Sequence, residues 1–272
     1  MSKENMQIII ASHKKCDVPS DVLYLPLHVG AKGKDSIGFQ RDDEGDNISE
    51  KNPLFCELTG IYWAWKNLNC DYVGLAHYRR YFTMKSKNYQ KKNGELNSVL
   101  TYAELSELLK NNYKVFVPKK RNYYIETIYK HYSHTFSEDH LLQTKAILDK
   151  KYPEYNNAWN KVMNSTSAYV FNMFIMNKVL FNDYCEWLFD ILFELEKRID
   201  VSNMTDFEKR YIGRVSERLF NVWLEYKIEK GDIKREEIKE LPYLYMGKVD
   251  WGRKITSFLA AKLFNKKYDK SF

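Results

Sequence analysis

The chain has 272 residues, of which 44% are hydrophobic and 29% are charged. This length allows one large domain or two small ones, and a mean hydropathy of -0.58 is typical of a globular protein and excludes a disordered chain. No apolar run reaches the roughly 18 residues that a membrane-spanning helix needs. The net charge of +7 indicates an anionic partner only where the excess is concentrated on one surface.

Targeting signals and cysteine spacing indicate the compartment. The first ten residues include an acidic residue and lack a small-residue cleavage site, so we expect no signal peptide and a cytoplasmic location. The four cysteines show no C-x-x-C spacing. The sequence therefore predicts neither a zinc ribbon nor a disulfide framework.

The first part of the chain predicts a sheet with a long loop. The β-branched run Gln7–Ser12 is typical of a buried parallel strand that ends in a functional loop. Residues 30–52 are rich in Gly and Asp and lack periodicity, as in a loop that binds a ligand. Apolar residues at helical spacing predict a helix over Pro53–Asn67, and a second strand follows at Tyr72–Ala76.

The middle of the chain continues the alternation of strands and helices. We predict a helix at Tyr102–Asn111 and a strand at Tyr113–Pro118. Residues 125–163 are rich in helical patterns, which predict a helical insertion that covers the sheet. Ala168–Met176 is apolar almost throughout, as expected of a central strand. This order predicts an α/β fold with a sheet flanked by helices.

The last part of the chain predicts two long helices and a basic tail. Amphipathic helices are expected from Asn177 to Ile199 and from Arg214 to Ile228. We predict one domain over residues 1–247 and a basic amphipathic helix over residues 248–272. That tail has seven basic and two acidic residues, so it accounts for most of the net charge. The helix either lies on anionic lipid or packs on the domain with a solvated basic face.

The tetrapeptide HYRR is the sharpest candidate site. His77, Tyr78, Arg79 and Arg80 follow the strand at Tyr72–Ala76, at the end where open α/β sheets place ligand groups. Guanidinium groups can hold a diphosphate by two hydrogen bonds at once. The alternative is a surface strand end with solvated arginines and a structural histidine.

The acidic loop is a second candidate. Asp42, Asp43 and Asp46 could ligate a hard divalent ion or, with Asn47, hydrogen-bond the hydroxyls of a sugar donor. The spacing does not match an EF-hand. A solvated loop is the alternative interpretation.

Polar residues at strand ends and inside apolar elements are weaker candidates. Ser12 and His13 follow the first strand, where they could contact a nucleotide. Asn172 interrupts an apolar run, so its amide either binds neighbouring backbone or faces a ligand. Arg214 and Glu217 form an intrahelical ion pair, or else Glu217 is a general base and Arg214 or Arg218 lies on the phosphate side.

Several motifs are absent from the sequence. It contains no G-x-S-x-G, H-E-x-x-H, glycine-rich phosphate loop or RNA-binding strand signature. Serine hydrolases, zincins, P-loop enzymes and RNA-recognition motifs therefore lose support.

Four stretches together resemble one protein family. They cover residues 42–67, 74–82, 172–200 and 213–226. They are similar to bacterial glycosyltransferases of capsular and exopolysaccharide biosynthesis, a family formerly described only as a domain of unknown function, whose members include galactofuranosyltransferases. The resemblance extends over residues 7–245.

The resemblance implies a GT-A-like fold that binds a UDP-sugar at the strand ends. It places Ser12, His13 and Lys14 against the nucleotide. The motif HYRR stands where many GT-A enzymes carry Asp-x-Asp for a divalent metal, so we expect Arg79 and Arg80 to neutralise the diphosphate. No cofactor is then required, although manganese is a possible one, with Asp42, Asp43 and Asp46 as fallback ligands.

The resemblance also implies the reaction. The enzyme would move galactofuranose or galactose, with inversion, to a lipid-linked capsule or exopolysaccharide intermediate at the inner face of the membrane. Related folds place the general base on a late helix, which favours Glu217 over Glu57 and Asp46. A non-catalytic scaffold of a polysaccharide assembly complex is the main alternative, and a nucleic-acid-binding module is a weaker one, because no basic stripe with interleaved aromatic residues is present.

Overall fold

The structure is a computed structural model that describes residues 4–247, and eleven strands and ten α-helices lie within them. The strands are β1 (Met6–Ser12), β2 (Tyr24–His28), β3 (Gln40–Arg41), β4 (Tyr72–His77), β5 (Arg80–Phe82), β6 (Val115–Pro118), β7 (Arg121–Asn122), β8 (Ser167–Ala168), β9 (Phe174–Asn177), β10 (Ile238–Leu241) and β11 (Tyr243–Tyr245). The helices are α1 (Asn52–Phe55), α2 (Leu58–Asn67), α3 (Lys87–Asn93), α4 (Tyr102–Leu109), α5 (Ile128–Thr135), α6 (Asp139–Lys151), α7 (Asn156–Met163), α8 (Lys178–Arg198), α9 (Asp206–Lys209) and α10 (Tyr211–Lys230).

Nine of these strands form one mixed sheet. Its order is β10-β6-β9-β4-β1-β2-β3, and β5 and β11 extend it from the end of β4. Strands β1 to β4, β6 and β10 all run in one direction, because β9 is antiparallel to both β4 and β6. The carboxyl ends of these six strands therefore lie along one edge of the sheet, which we call the carboxyl edge.

Strand β1 is buried on both faces, as predicted for a central parallel strand. Ile9 packs with the helices α2, α8 and α10 in one core, and Ile8 and Ile10 pack on the other face with α4. This alternation follows from the two-residue period of a strand. The mixed α/β architecture with helices flanking a sheet confirms the predicted fold class.

Two predicted elements are interrupted. The helix expected over Pro53–Asn67 is divided into α1 and α2, because Cys56 has a φ of 52°. The strand expected over Ala168–Met176 is divided into β8 and β9, because Phe171 and Asn172 have φ values of 74° and 52°. Residues other than glycine rarely adopt this left-handed region, so apolar content alone could not reveal the breaks.

The predicted helical insertion consists of α5, α6 and α7. Helix α7 packs on α10 and helix α6 packs on α8, so these helices form a second layer outside the helices that cover the sheet. Among residues 4–247, no helix is long and apolar enough to cross a membrane. The predicted tail at 248–272 lies outside the described residues, so the division into domain and tail stays a prediction.

Candidate functional site

The motif HYRR forms a tight turn at the carboxyl edge. His77 ends β4 and pairs with Arg80 at the start of β5, which leaves Tyr78 and Arg79 at the tip. The Arg79 guanidinium is exposed and lies 5.1 Å from the centre of the Tyr78 ring. The Arg80 guanidinium is half-buried and lies 4.3 Å from the centre of the Phe171 ring. The two arginines therefore face different parts of the site.

A group of cations surrounds His13, which follows β1. The His13 ring meets the edge of Tyr78 with ring centres 5.3 Å apart. Partial burial lowers the pKa of His13, and the positive charges of its neighbours lower it further. These neighbours are Lys14, Lys34, Arg210 and Arg79. We call these four residues the basic cluster, and their convergence favours an anionic ligand.

Ser12 is buried and shapes the turn that carries His13. Its hydroxyl donates a hydrogen bond to the Lys14 carbonyl at 2.6 Å and accepts one from the Lys14 amide at 3.3 Å. Ser12 therefore positions His13 and Lys14 and does not face the surface itself. His13 and Lys14 are exposed beside Tyr78.

A groove with a volume of about 600 Å³ opens beside the basic cluster. Its lining includes Lys14, Tyr78, Arg79, Glu95 and Met246. This volume is within the range of sites that bind small molecules. The groove brings cations and an aromatic ring together at the carboxyl edge.

The turn at Phe171 and Asn172 connects the arginines with two carboxylates. The Phe171 amide donates to Glu217 Oε1 at 3.0 Å, and His77 Nε2 donates to the Phe171 carbonyl at 2.6 Å. Asn172 Nδ2 donates to Glu57 Oε1 at 2.8 Å. A non-glycine residue with positive φ is unfavourable, and these bonds hold both residues in that conformation.

Asn172 is satisfied within the protein. It is 2% exposed, its Nδ2 also donates to the Gly213 carbonyl at 3.1 Å, and its Oδ1 accepts from Ser216 Oγ at 3.0 Å. The structure thus supports the first of the two interpretations of Asn172, in which the amide binds neighbouring groups. Its contact with the site is indirect, through Glu57.

Arg214 and Glu217 do not form the ion pair considered from the sequence. Glu217 Oε2 instead accepts from Arg218 Nη1 at 2.6 Å. Arg214 donates to the Phe207 carbonyl at 2.6 Å, and its guanidinium lies 4.1 Å and 4.3 Å from the ring centres of Phe207 and Phe136. Burial lowers the pKa of Arg214 to about 10.

Asp42 and Asp43 have structural roles in the acidic loop. Asp42 is buried and accepts four hydrogen bonds, from the amides and hydroxyls of Gly30, Ala31, Ser49 and Thr59. Asp43 binds the Arg41 guanidinium through both oxygens, and these hydrogen bonds lower the pKa of Asp43. Each of the two carboxylates therefore binds its own set of protein groups.

Asp46 and Asn47 lie away from the basic cluster. The amide and carbonyl of Asp46 both bind the side chain of Asn67, in the last turn of α2, and Asn47 binds loop carbonyls. Arg210 of the basic cluster binds Cys56, which lies just before the other end of α2, and the ten residues of this helix span about 15 Å. The structure therefore does not assemble Asp42, Asp43 and Asp46 as a metal site, and within residues 4–247 no group of three or more acidic, His or Cys side chains could hold a metal ion.

Arg210 and Lys34 belong to the basic cluster but were not among the sequence candidates. Arg210 lies between α9 and α10 and donates to Cys56 Sγ at 3.3 Å, and burial raises the pKa of that thiol to about 11. The sequence contains one signal for Arg210, which stands directly before a long helix, and the N-termini of helices bind anions. Nothing in the sequence shows that residues 34 and 210 approach residue 13.

The depressed pKa of His13 provides a test for anion binding. Adding inorganic pyrophosphate is expected to raise the pKa of His13, because a bound anion offsets the cations that disfavour its protonated form. By linkage, pyrophosphate then binds more tightly as the pH falls through the pKa of the complex. An NMR titration of His13 in the presence and absence of pyrophosphate measures this shift, with exposed His134 as the internal control. An unchanged His13 pKa at saturating pyrophosphate would show that the anion binds elsewhere.

Comparisons with known proteins identify the family of the chain. No curated protein matches the chain. A solved structure, described as the apo structure of the bifunctional glycosyltransferase WbbM, is similar with a TM-score of 0.80 and 33% identity over 90% of this chain. The match covers 46% of the WbbM chain, so this protein spans about half of that length. A family model described as a domain of unknown function, DUF4422, matches residues 7–228. The chain therefore belongs to the DUF4422 family.

Proposed function

We propose that this protein is a glycosyltransferase that moves one sugar from a nucleotide-sugar donor to an acceptor hydroxyl. The observation that carries the proposal is the meeting of the basic cluster, the HYRR turn and two glutamates at one edge of the sheet. The similarity to a bifunctional glycosyltransferase supports the same reaction class.

The donor is proposed to be a UDP-sugar whose diphosphate lies against the basic cluster. Lys14 and Arg79 are exposed beside the groove, where they can neutralise charge that develops on the diphosphate as the glycosidic bond breaks. Such stabilisation requires no metal, and we propose none. Galactofuranose or galactose is the sugar that the family resemblance favours.

A carboxylate at the Phe171–Asn172 turn is proposed to take the proton from the acceptor hydroxyl. Glu217 is the candidate from the sequence, but both of its oxygens already accept hydrogen bonds, from Phe171 and the buried Arg218. Glu57 Oε1 accepts from Asn172, and within residues 4–247 no donor binds its Oε2. An oxygen without a donor is the better proton acceptor, so we propose Glu57 as the base of an inverting transfer.

The acceptor is proposed to be a lipid-linked capsule or exopolysaccharide intermediate, with the protein on the cytoplasmic side of the membrane. This part of the proposal rests on the family resemblance and on the basic composition of residues 248–272. A membrane-bound acceptor would require the carboxyl edge to face the lipid surface.

Thermal unfolding with a panel of nucleotides tests the donor. UDP and one UDP-sugar are expected to raise the unfolding midpoint, while GDP- and dTDP-sugars are not, because only a ligand that binds the native state stabilises it. The shift should persist with EDTA and should not require manganese. Stabilisation that EDTA abolishes would overturn the metal-free site, and the absence of any nucleotide effect would overturn the donor.

Replacing Arg79 by glutamine is expected to weaken UDP binding by a factor of about 10 to 100, because a charge-assisted hydrogen bond to the diphosphate is lost. Isothermal titration calorimetry measures the affinity. Lys66→Gln is the matched control, since Lys66 is an exposed cation that also lies over an aromatic ring, 3.5 Å from the centre of Trp65. Equal losses in both variants would indicate a nonspecific charge effect.

A further inference from the structure

The loop that follows β6 rises from the same edge of the sheet as the HYRR turn. Strand β6 ends at Pro118 and runs in the same direction as β4, because both are antiparallel to β9. Residues 119–125 therefore project beyond the carboxyl edge, and we call them the edge loop. They include β7, which pairs with β8 in a separate two-stranded sheet.

The base of the edge loop carries three consecutive exposed cations: Lys119, Lys120 and Arg121. Within residues 4–247 none of the three forms an ion pair with a carboxylate. Lys120 and Arg121 instead lie over the rings of Tyr169 and Tyr123, at 4.9 Å and 5.2 Å from the ring centres.

The nearby carboxylates are engaged elsewhere. Glu126 accepts hydrogen bonds from His131 at 3.1 Å and His134 at 3.2 Å. Glu240 accepts one from the Tyr169 hydroxyl at 3.1 Å. Among residues 4–247, no acidic side chain therefore forms a hydrogen bond with the cations of the edge loop.

The tip of the edge loop exposes two apolar side chains. Tyr124 is 83% exposed and Ile125 is 76% exposed. Tyr124 has a φ of 60°, and the Ile125 amide donates to the Tyr123 carbonyl at 2.8 Å, so Tyr124 is the central residue of a γ-turn. This form of the turn is rare and strained, and strained residues that persist are concentrated at ligand clamps and functional sites.

We propose that the edge loop docks on an anionic lipid surface. Lys119, Lys120 and Arg121 would lie at the phosphate headgroups, where each cation near the surface contributes attraction. Tyr124 and Ile125 would enter the interfacial layer, where tyrosine rings are favoured. Docking in this orientation turns the carboxyl edge toward the lipid. The inference does not depend on the transferase reaction, because lipid binding is measured without a donor.

Co-sedimentation of the full chain with lipid vesicles tests the proposal. The chain is expected to bind vesicles of phosphatidylglycerol and phosphatidylcholine and to show little affinity for pure phosphatidylcholine. The triple variant K119Q/K120Q/R121Q should lower the affinity by about a hundredfold, and the double variant Y124S/I125S by about tenfold. The triple variant K66Q/K110Q/K230Q removes three exposed cations at the ends of α2, α4 and α10, which lie at the opposite edge because they precede β4, β6 and β10. The variant V179S removes an apolar side chain that is 79% exposed at the same opposite edge. Both variants should bind like the unmodified chain.

The variant Tyr124→Gly separates docking from folding. Glycine adopts positive φ without strain, so the unfolding midpoint is expected to stay the same or rise while vesicle binding falls. A lower midpoint would show that the Tyr124 side chain stabilises the fold, which contradicts the proposal.

Two other outcomes would also overturn the proposal. Unchanged vesicle binding in both loop variants would assign the lipid contact to another region, such as residues 248–272. Binding to a soluble anionic polysaccharide that the same variants abolish, with no vesicle binding by the unmodified chain, would assign the edge loop to a glycan. Either result leaves the proposed donor site unaffected.

Discussion

Replacing Glu57 by glutamine is expected to lower the turnover of a UDP-sugar by a factor of about 10² to 10⁴, because glutamine cannot accept the acceptor proton. Donor affinity should change little, since Glu57 is proposed to contact the acceptor hydroxyl and not the diphosphate. Glutamine keeps an oxygen that can accept the hydrogen bond from Asn172, so the turn should remain intact. Steady-state kinetics and calorimetry on the same preparation separate the loss in kcat from any loss of binding.

Glu217→Gln is the matched comparison and is expected to affect stability more than chemistry. It replaces the carboxylate that pairs with Arg218, which is 6% exposed, and an unpaired buried charge is strongly destabilising. Thermal unfolding should show a lower midpoint, while turnover at a temperature where the variant is folded should fall much less than in Glu57→Gln. The reverse ranking of the two variants would restore Glu217 as the base. If the unmodified protein binds the donor but transfers no sugar, the result would favour the alternative of a non-catalytic scaffold in a polysaccharide assembly complex.

Replacing Asp42 by alanine is expected to cost about 3 kcal/mol or more of unfolding free energy. The side chain accepts hydrogen bonds from two buried amides and two buried hydroxyls, and each donor left unsatisfied costs about 1–3 kcal/mol. These donors come from three segments: the loop after β2, the turn before α1, and α2. The loss of Asp42 therefore disconnects the whole loop at 30–52.

Urea denaturation measures this loss, and Asp46→Ala is the control. Asp46 belongs to the same loop but is exposed, so its replacement should change stability by no more than about 0.5 kcal/mol. A loss below about 1 kcal/mol in Asp42→Ala would contradict the structural role and would reopen the question of a metal ligand at this position.

The elements with strong periodicity were predictable from sequence. The strand at Gln7–Ser12 and the strand at Tyr72–Ala76 are present as β1 and β4, and the long amphipathic patterns form α8 and α10. These patterns show which side of an element is buried, because the apolar residues recur with the period of the helix or strand. The two breaks at Cys56 and at Phe171 and Asn172 were not predictable, because their positive φ values are imposed by contacts with distant residues.

The candidate site was predicted in part. The sequence predicted that HYRR follows a strand, and it does follow β4. That Ser12, His13 and Lys14 lie at the end of the neighbouring strand was decided by the pairing of β1 with β4. The acidic loop shows the limit of such reasoning. Its carboxylates are adjacent in sequence, yet Asp42 is buried, Asp43 binds an arginine and Asp46 lies near the far end of α2.

The sequence by itself determined the α/β class, three of the six strands that meet at the carboxyl edge (β1, β4 and β6), the family resemblance and the chemistry available in HYRR. Only the tertiary structure decided which charges converge. In the folded chain, Lys34 and Arg210 lie near His13, and Glu217 binds Arg218. One oxygen of Glu57 has no hydrogen-bond donor among the described residues. The physical reason is that periodicity records burial along one element, whereas the environment of a charge depends on segments that pack from far along the chain.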